Sequence, residues 1–404
     1  MNRIAPPWLT EPAVQRLLAA LAAAGIEARF VGGCVRDALL GIDTAALGGD
    51  IDLATPARPE AVIAALAKAR IKAVPTGLAH GTVTAVTAPR QFEITTLRRD
   101  VETDGRHARV AFDAGWEEDA ARRDFTINAI YLGADGTLYD PVGGRADLAA
   151  RRVRFVGDPA TRIAEDVLRL LRYYRFEARF GGGAGDPASR AACRDAAALL
   201  PTLSAERVSH ELLRLLAAPD PIRAVRISRE DGVLAAFLPE ATRIDRLAAL
   251  VPLSGDALLR LAALIEVDKA AATALAARLR LSNAERTRLA GLASPWPLEP
   301  VAEPKAQRMA LYRLGRERYR DLVLLCAAEG RLAPGRLREL LEFAETWPIP
   351  PFPLGGDDVT GLGIAPGPRV GRLLGAVRRW WEAGDFTASR DDCLAKLREL
   401  AAQP

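Results

Sequence analysis

Residues Phe30–Thr55 read FVGGCVRDALLGIDTAALGGDIDLAT, and this stretch decides the fold. A short apolar run turns through Gly32 and Gly33 and continues into the helix-like VRDALL. After a loop, Asp50 and Asp52 flank Ile51, with Leu53 following. Carboxylate and apolar residue alternating in this way is a strand pattern, because strand side chains point to opposite faces with period two. Asp50 and Asp52 then share one face while Ile51 and Leu53 enter a core on the other. Like charges so placed raise each other's proton affinity unless a cation neutralises them. Mg²⁺ suits such a pair, since it takes hard oxygen ligands and commonly uses one or two carboxylates together with substrate phosphates. The Gly-Gly turn offers close backbone approach and N–H donors to those phosphates, and Arg36 offers a fixed cation.

Outward from this stretch, the pattern predicts a helix over Glu11 to Ala24, stopped by Gly25, and a strand over Ala28 to Val31. A second helix spans Pro59 to Ala69, and strands follow at Lys72 to Val74, Thr82 to Thr87 and Gln91 to Thr96. The simplest assembly is an α+β head, a mixed sheet with helices to one side. Glu93 lies between Phe92 and Ile94 on a strand expected beside the Asp50–Asp52 strand. Arg98 to Asp119 is polar and rich in turn formers, which reads as a surface loop. ARRDFTINAIYL, Ala121 to Leu132, reads as a helix with a polar edge. Arg123 suits bidentate phosphate binding and Asp124 and Asn128 suit ribose hydroxyls; a buried structural Arg–Asp pair is the alternative for the same residues.

DPVGGRADL (Asp140 to Leu148) forms a turn before a basic helical stretch, Arg162 to Phe180. There Asp166, Arg169, Arg172 and Arg175 recur every three residues, nearly one helix face. GGGAGDP (Gly181 to Pro187) interrupts it, and Ser204 to Pro221 begins like a capping box with Arg207 in place of the usual Glu. Beyond about residue 225 the chain is almost wholly helical. Arg369, Arg372, Arg378 and Arg379 lie in its most distinctive segment, Trp347 to Trp381, and can meet phosphates or form an ordinary charged surface.

Taken together, GGxVRD with DxD, RRDFTINA and EDxxRxxR resemble the nucleotidyltransferase superfamily of DNA polymerase β. The narrower resemblance is to the bacterial tRNA nucleotidyltransferase and poly(A) polymerase family, strongly over residues 28 to 215. The chain departs from that pattern in its longer loop, Ile42 to Gly49. The resemblance implies two Mg²⁺ ions held by Asp50 and Asp52, with Glu93 as the third acidic residue. It implies a triphosphate held by Gly32, Gly33, Arg36 and Arg123, and a nucleotide bound along the following helix by Asp166, Arg169, Arg172 and Arg175, of which Asp166 and Arg169 read the base. The reading is chemically sensible: a carboxylate accepts from the exocyclic amine common to cytosine and adenine and opposes the carbonyl oxygen of uracil or guanine. The Arg98–Asp119 loop, through Arg98 and Asp100, is implied to switch the site from CTP to ATP.

TGLAHGTVTAV (Thr76 to Val86) is similar to the tRNA nucleotidyltransferase branch, and the Gly-Arg-Arg-Phe stretch of the poly(A) polymerase branch is not seen. The implied organisation is a catalytic head at 1–145, a helical neck at 146–225 for base and RNA binding, and a helical body and tail at 226–404 for tRNA. The implied partners are tRNA, CTP and ATP, with no membrane and no protein partner. Three alternatives share these motifs: a poly(A) polymerase, an enzyme adding only CC or only A, and a catalytically silent RNA-binding protein.

Composition sets outer limits. A chain of 404 residues, half of them hydrophobic, exceeds one core and suggests two to four domains. No apolar run reaches a membrane span and the N-terminal residues lack a signal-peptide pattern, so a cytosolic protein is the expectation. Four scattered cysteines and three histidines argue against a zinc site, a disulfide framework or a histidine-rich metal site. No His-Asp doublet occurs, so a C-terminal phosphohydrolase domain is not expected. A net charge of +4 favours nucleic acid only faintly and leaves the argument to the sites.

Overall fold

The computed structural model describes residues 2–43, 49–103, 108–300 and 302–402. Its contacts divide the chain into two compact units, Met1–Pro239 and Glu240–Pro404.

The first unit is organised around one mixed sheet. Helix α1 (Pro12–Ala23) starts with proline at its first position, where a missing N–H costs nothing, and ends before Gly25 at φ +68°. Then come β1 (Arg29–Val31), α2 (Gly33–Leu39), β2 (Ile51–Thr55) and α3 (Pro59–Lys68). Three more strands, β3 (Lys72–Gly77), β4 (Thr82–Thr87) and β5 (Arg90–Thr96), lead to a separate ribbon of β6 (Arg99–Thr103) and β7 (Ala108–Ala111). After α4 (Trp116–Ala121), strands β8 (Tyr131–Gly133) and β9 (Leu138–Tyr139) complete the main sheet, whose order is β3-β4-β5-β2-β1-β8-β9. Only the β2–β5 pair is parallel; the others are antiparallel.

Period-two alternation sorts the two faces. Phe30, Ile51, Leu53, Phe92 and Ile94 pack with Trp8, Val14 and Leu17 beside α1 and with Val62 and Leu66 of α3. Val31, Ala54 and Tyr131 point the other way, into a smaller cluster with Leu97, Ala120 and Val156. Asp52 shares this second face.

Helices α5 (Gly144–Ala149), α6 (Pro159–Glu165), α7 (Leu168–Phe180), α8 (Pro187–Asp195) and α9 (Ala205–Leu216) follow within the same unit. Phe125 joins α7 to the sheet, its ring centroid 4.8 Å from Phe176 and 4.9 Å from Phe155. Every named element of the second unit is a helix, with one isolated bridge between Ala241 and Ile265. Leu354, Val359, Val377, Trp381, Cys393 and Leu397 form one of its cores; apart from that core, Arg288 is bound between Asp256 and Asp321.

The mixed sheet with helices agrees with the α+β expectation, and three local readings need correction. RRDFTINA is not helical: α4 stops at Ala121, Thr126–Asn128 is one 3₁₀ turn, and the chain enters β8. The apolar residues of this stretch alternate into a sheet rather than following a helical stripe. The polar Arg98–Asp119 stretch contains the β6–β7 ribbon, because backbone pairing needs no apolar face. Residues 104–107 of that stretch, and most of the Ile42–Gly49 loop, lie outside the described residues. Finally, Arg162–Phe180 is two helices. Asp166 ends α6 in an extended conformation (φ −153°, ψ 104°), and its carboxylate accepts from Leu168 N at 3.1 Å. An Asp that bonds nearby backbone in this way competes with the helix.

Candidate active site

Strand register assembles the site. Asp52 pairs with Glu93 on the parallel side and with Val31 on the other, and Val31 pairs with Tyr131. Paired residues share a face, so Glu93, Asp52 and Tyr131 stand in one row across the sheet. Asp50 sits one residue before β2 on the same face. No described residue donates a hydrogen bond to these three carboxylates. Burial raises the Asp52 carboxyl from 3.8 to about 6, assisted by the charges of Glu93 and Asp50 and opposed by Arg123.

Gly32 occupies the rim with φ +82° and ψ −134°, a conformation open to glycine but not to side-chain-bearing residues. A Cβ there would lie 4.0 Å from Asp52 Oδ2 and 4.0 Å from Arg123 Nη1. The Gly32 backbone therefore runs between an unpaired carboxylate and a cation. Gly33 begins α2, where a Cβ would meet Arg36 Nη2 at 3.6 Å.

The donor set fits a hard divalent cation. It consists of carboxylate oxygens without nitrogen or sulfur, repels itself, and has its central member pushed toward protonation. Among the described residues no group of three or more His, Cys, Asp or Glu encloses a metal position. The carboxylates thus form an open platform on the sheet face rather than a closed cage among the described residues.

The other expected residues fall into two groups. Arg123 belongs to the platform. Its Nε and Nη2 donate to Asp119 at 3.3 and 3.0 Å and its Nε to Tyr131 Oη at 3.3 Å, while Nη1 has no acceptor among the described residues. Arg36, expected as a fixed cation for the triphosphate, is fixed by protein partners. It is only 7% exposed; Nε and Nη2 bind Asp37 at 2.9 and 2.7 Å, and Nη1 donates to Asn128 Oδ1 at 2.6 Å. Its guanidinium also lies 4.0 Å from the Phe180 ring centroid.

Asn128 in turn donates to Asp124 at 3.1 Å, and Asp124 pairs with Arg172 at 2.5 Å. Burial would raise the Asp124 carboxyl, but Arg172, Asn128 and the Phe125 N–H hold it down at about 2. Arg175 binds Glu211 at 2.5 Å, with Arg172 4.0 Å from the same carboxylate. Asp166 and Arg169 are not on one helix. Asp166 pairs with Arg207 at 2.9 Å, while Arg169, on α7, pairs with Glu165 at 2.5 Å. Arg207 stands where a capping box wants Glu, and Ser204 makes no cap bond.

Comparison with known proteins gives the family. Residues 28–154 match the model of the poly A polymerase head domain, and residues 186–244 match a probable RNA and SrmB-binding site of polymerase A. The chain is 32% identical to the mitochondrial CCA tRNA nucleotidyltransferase 1 of Mus musculus across 92% of this chain and 87% of that protein. The chain belongs to the CCA tRNA nucleotidyltransferase family. A CCA-adding enzyme of Geobacillus stearothermophilus is 40% identical over 53% of this chain and 51% of its own length. The crystal structure of the Bacillus stearothermophilus CCA-adding enzyme in complex with CTP superposes with a TM-score of 0.79. Its identity is 31%, and the match covers 97% of this chain and 98% of that one. Membership of a nucleotidyltransferase family implies dependence on a divalent metal in general.

Within the family motifs, the residues that sequence reasoning passed over are the partners. Asp119 and Glu165 each stand four residues before an arginine of the site, a spacing that could have singled them out. Arg207 and Glu211 reach the site from α9; Glu211 carries no local signal, and Arg207 only its place where a capping box wants Glu.

Proposed function

We propose that this chain adds the 3′-terminal CCA to tRNA, using CTP and ATP, releasing pyrophosphate and needing no nucleic-acid template. The observation that carries the reading is the row of Asp52 and Glu93, with Asp50 beside them, facing Gly32 and the uncommitted Nη1 of Arg123. Asp50 and Asp52 would hold two Mg²⁺ ions, with Glu93 assisting. Bound there, the metal would supply activation of the tRNA 3′-hydroxyl and charge neutralisation at the triphosphate. Arg123 donates to a phosphate oxygen, and the bare backbone at Gly32 and Gly33 lets that phosphate approach. Arg36 orients Asn128, and Asp124, held ionised, accepts from a ribose hydroxyl with Asn128 beside it.

Asp166 and Arg169 read the base in this proposal, Asp166 accepting from the exocyclic amine. Arg172 and Arg175 hold α7 against Asp124 and Glu211. We assign catalysis to a head at 1–145, base selection to a neck at 146–225, and tRNA binding to the remaining helices. In the second unit the helix Pro368–Ala383 presents Arg369, Arg372, Arg378 and Arg379 to solvent, which suits phosphate contacts whose strength falls with salt.

The test is incubation with tRNA lacking its CCA end and CTP, ATP, both or neither, resolving products at single-nucleotide length. The expected result is two additions with CTP alone and a third only when ATP is also present. Long A tracts with ATP alone, or no extension at all, would overturn the reading.

A further inference from the structure

Asp119 contacts no expected substrate position, yet it is only 1% exposed and accepts from three groups. Arg122 donates to one oxygen through Nε at 2.8 Å and Nη2 at 2.5 Å. Arg123 and the Tyr131 hydroxyl donate to the other, the hydroxyl at 2.8 Å. Tyr131 is fixed in turn by the sheet register with Val31 and by edge-on packing against Trp116, ring centroids 5.5 Å apart. Two of the three guanidinium nitrogens of Arg123 are therefore tied down from behind. The third, Nη1, is left beside Gly32 and Asp52.

We propose that Asp119 is a positioning residue: with Tyr131 it locks the Arg123 guanidinium so that Nη1 meets the phosphate of the incoming nucleotide. A planar guanidinium held at two nitrogens can present the third in only one direction, so the cation is already placed before substrate arrives. A freely rotating arginine would have to be ordered at each binding event. The inference rests on the proposed role of Arg123 in triphosphate binding.

The test is a double-mutant cycle on CTP addition, reading KM for CTP and kcat separately with a melting curve for each variant. Asp119→Asn keeps the side chain's shape but removes its charge, and should lower kcat/KM by roughly 10- to 100-fold. Tyr131→Phe removes only one hydroxyl, leaves the packing in place, and should give a smaller loss in the same direction. In an Arg123→Ala background neither change should lower kcat/KM by more than about twofold, because their route to the nucleotide is gone. Equal losses in both backgrounds would overturn the positioning role and make Asp119 a purely structural residue. Parent-like kcat/KM in Arg123→Ala alone would instead remove the reading of Arg123 on which the inference rests.

Discussion

An Asp52→Asn variant should lose nucleotide addition by roughly a thousandfold or more while binding tRNA as the parent does. Asp52 stands at the centre of the row, paired to Glu93 on one side and facing Gly32 on the other. Asparagine preserves its volume and the β2 hydrogen bonds but removes the charge that would hold a cation. Asp50→Asn should act in the same direction, since Asp50 sits beside it on the same face. Single-turnover extension of tRNA lacking its CCA end, with tRNA binding measured in parallel, decides the matter. Near-parent turnover in the Asp52 variant would exclude this carboxylate from the chemistry.

Asp166→Ala should change which nucleotide is chosen more than it slows addition. A hydrogen bond to a charged group is worth about 1.5–3 kcal/mol, so discrimination against UTP should fall roughly 10- to 100-fold. The structure also supplies a competing role. Asp166 accepts from Leu168 N at the start of α7 and pairs with Arg207 of α9, so it can serve purely to join two helices. That role predicts a lower melting temperature with the order CTP, ATP, UTP, GTP unchanged. Kinetics with all four nucleotides, alongside a melting curve, separate the two. A variant that melts early and still rejects UTP as the parent does would place base reading elsewhere.

The sequence carried the sheet well because its signals are short-range. Asp50–Leu53 alternates so strongly that strand and face could both be read, and Gly32–Gly33 marked the turn. The Glu93 strand is expected beside that of Asp50 and Asp52, but its role as third acidic residue comes only from the resemblance, since parallel pairing across some forty residues leaves no local trace. RRDFTINA was misread because its apolar residues fit either period over so short a run. The α6–α7 break was missed because regular three-residue spacing of arginines suggested one continuous helix, whereas Asp166 turns its carboxylate onto backbone. The surroundings of Arg36 were illegible for a different reason. Its sequence shows a cation near phosphate-binding glycines but not the Asp37, Asn128 and Phe180 that enclose it.

The most direct measurement is the melting temperature of the metal-free protein and its Asp52→Asn variant between pH 4 and pH 8, with and without Mg²⁺. Asp52 titrates near 6 in the fold against 3.8 as the ordinary value, because burial and then Glu93 and Asp50 disfavour its charge. The native state therefore binds this proton more tightly than the unfolded chain, and the group costs stability as pH rises through that interval. With a discount for the partial exposure of the side chain, the cost is on the order of 1 kcal/mol. At pH 8 the metal-free variant should melt roughly 2–4 °C above the parent, and the gap should close by pH 4. Mg²⁺ at pH 8 should raise the parent and leave the variant nearly unchanged. A parent that melts with or above the variant at pH 8 without metal, and gains nothing from Mg²⁺, would contradict the reading of this sheet face as a cation platform.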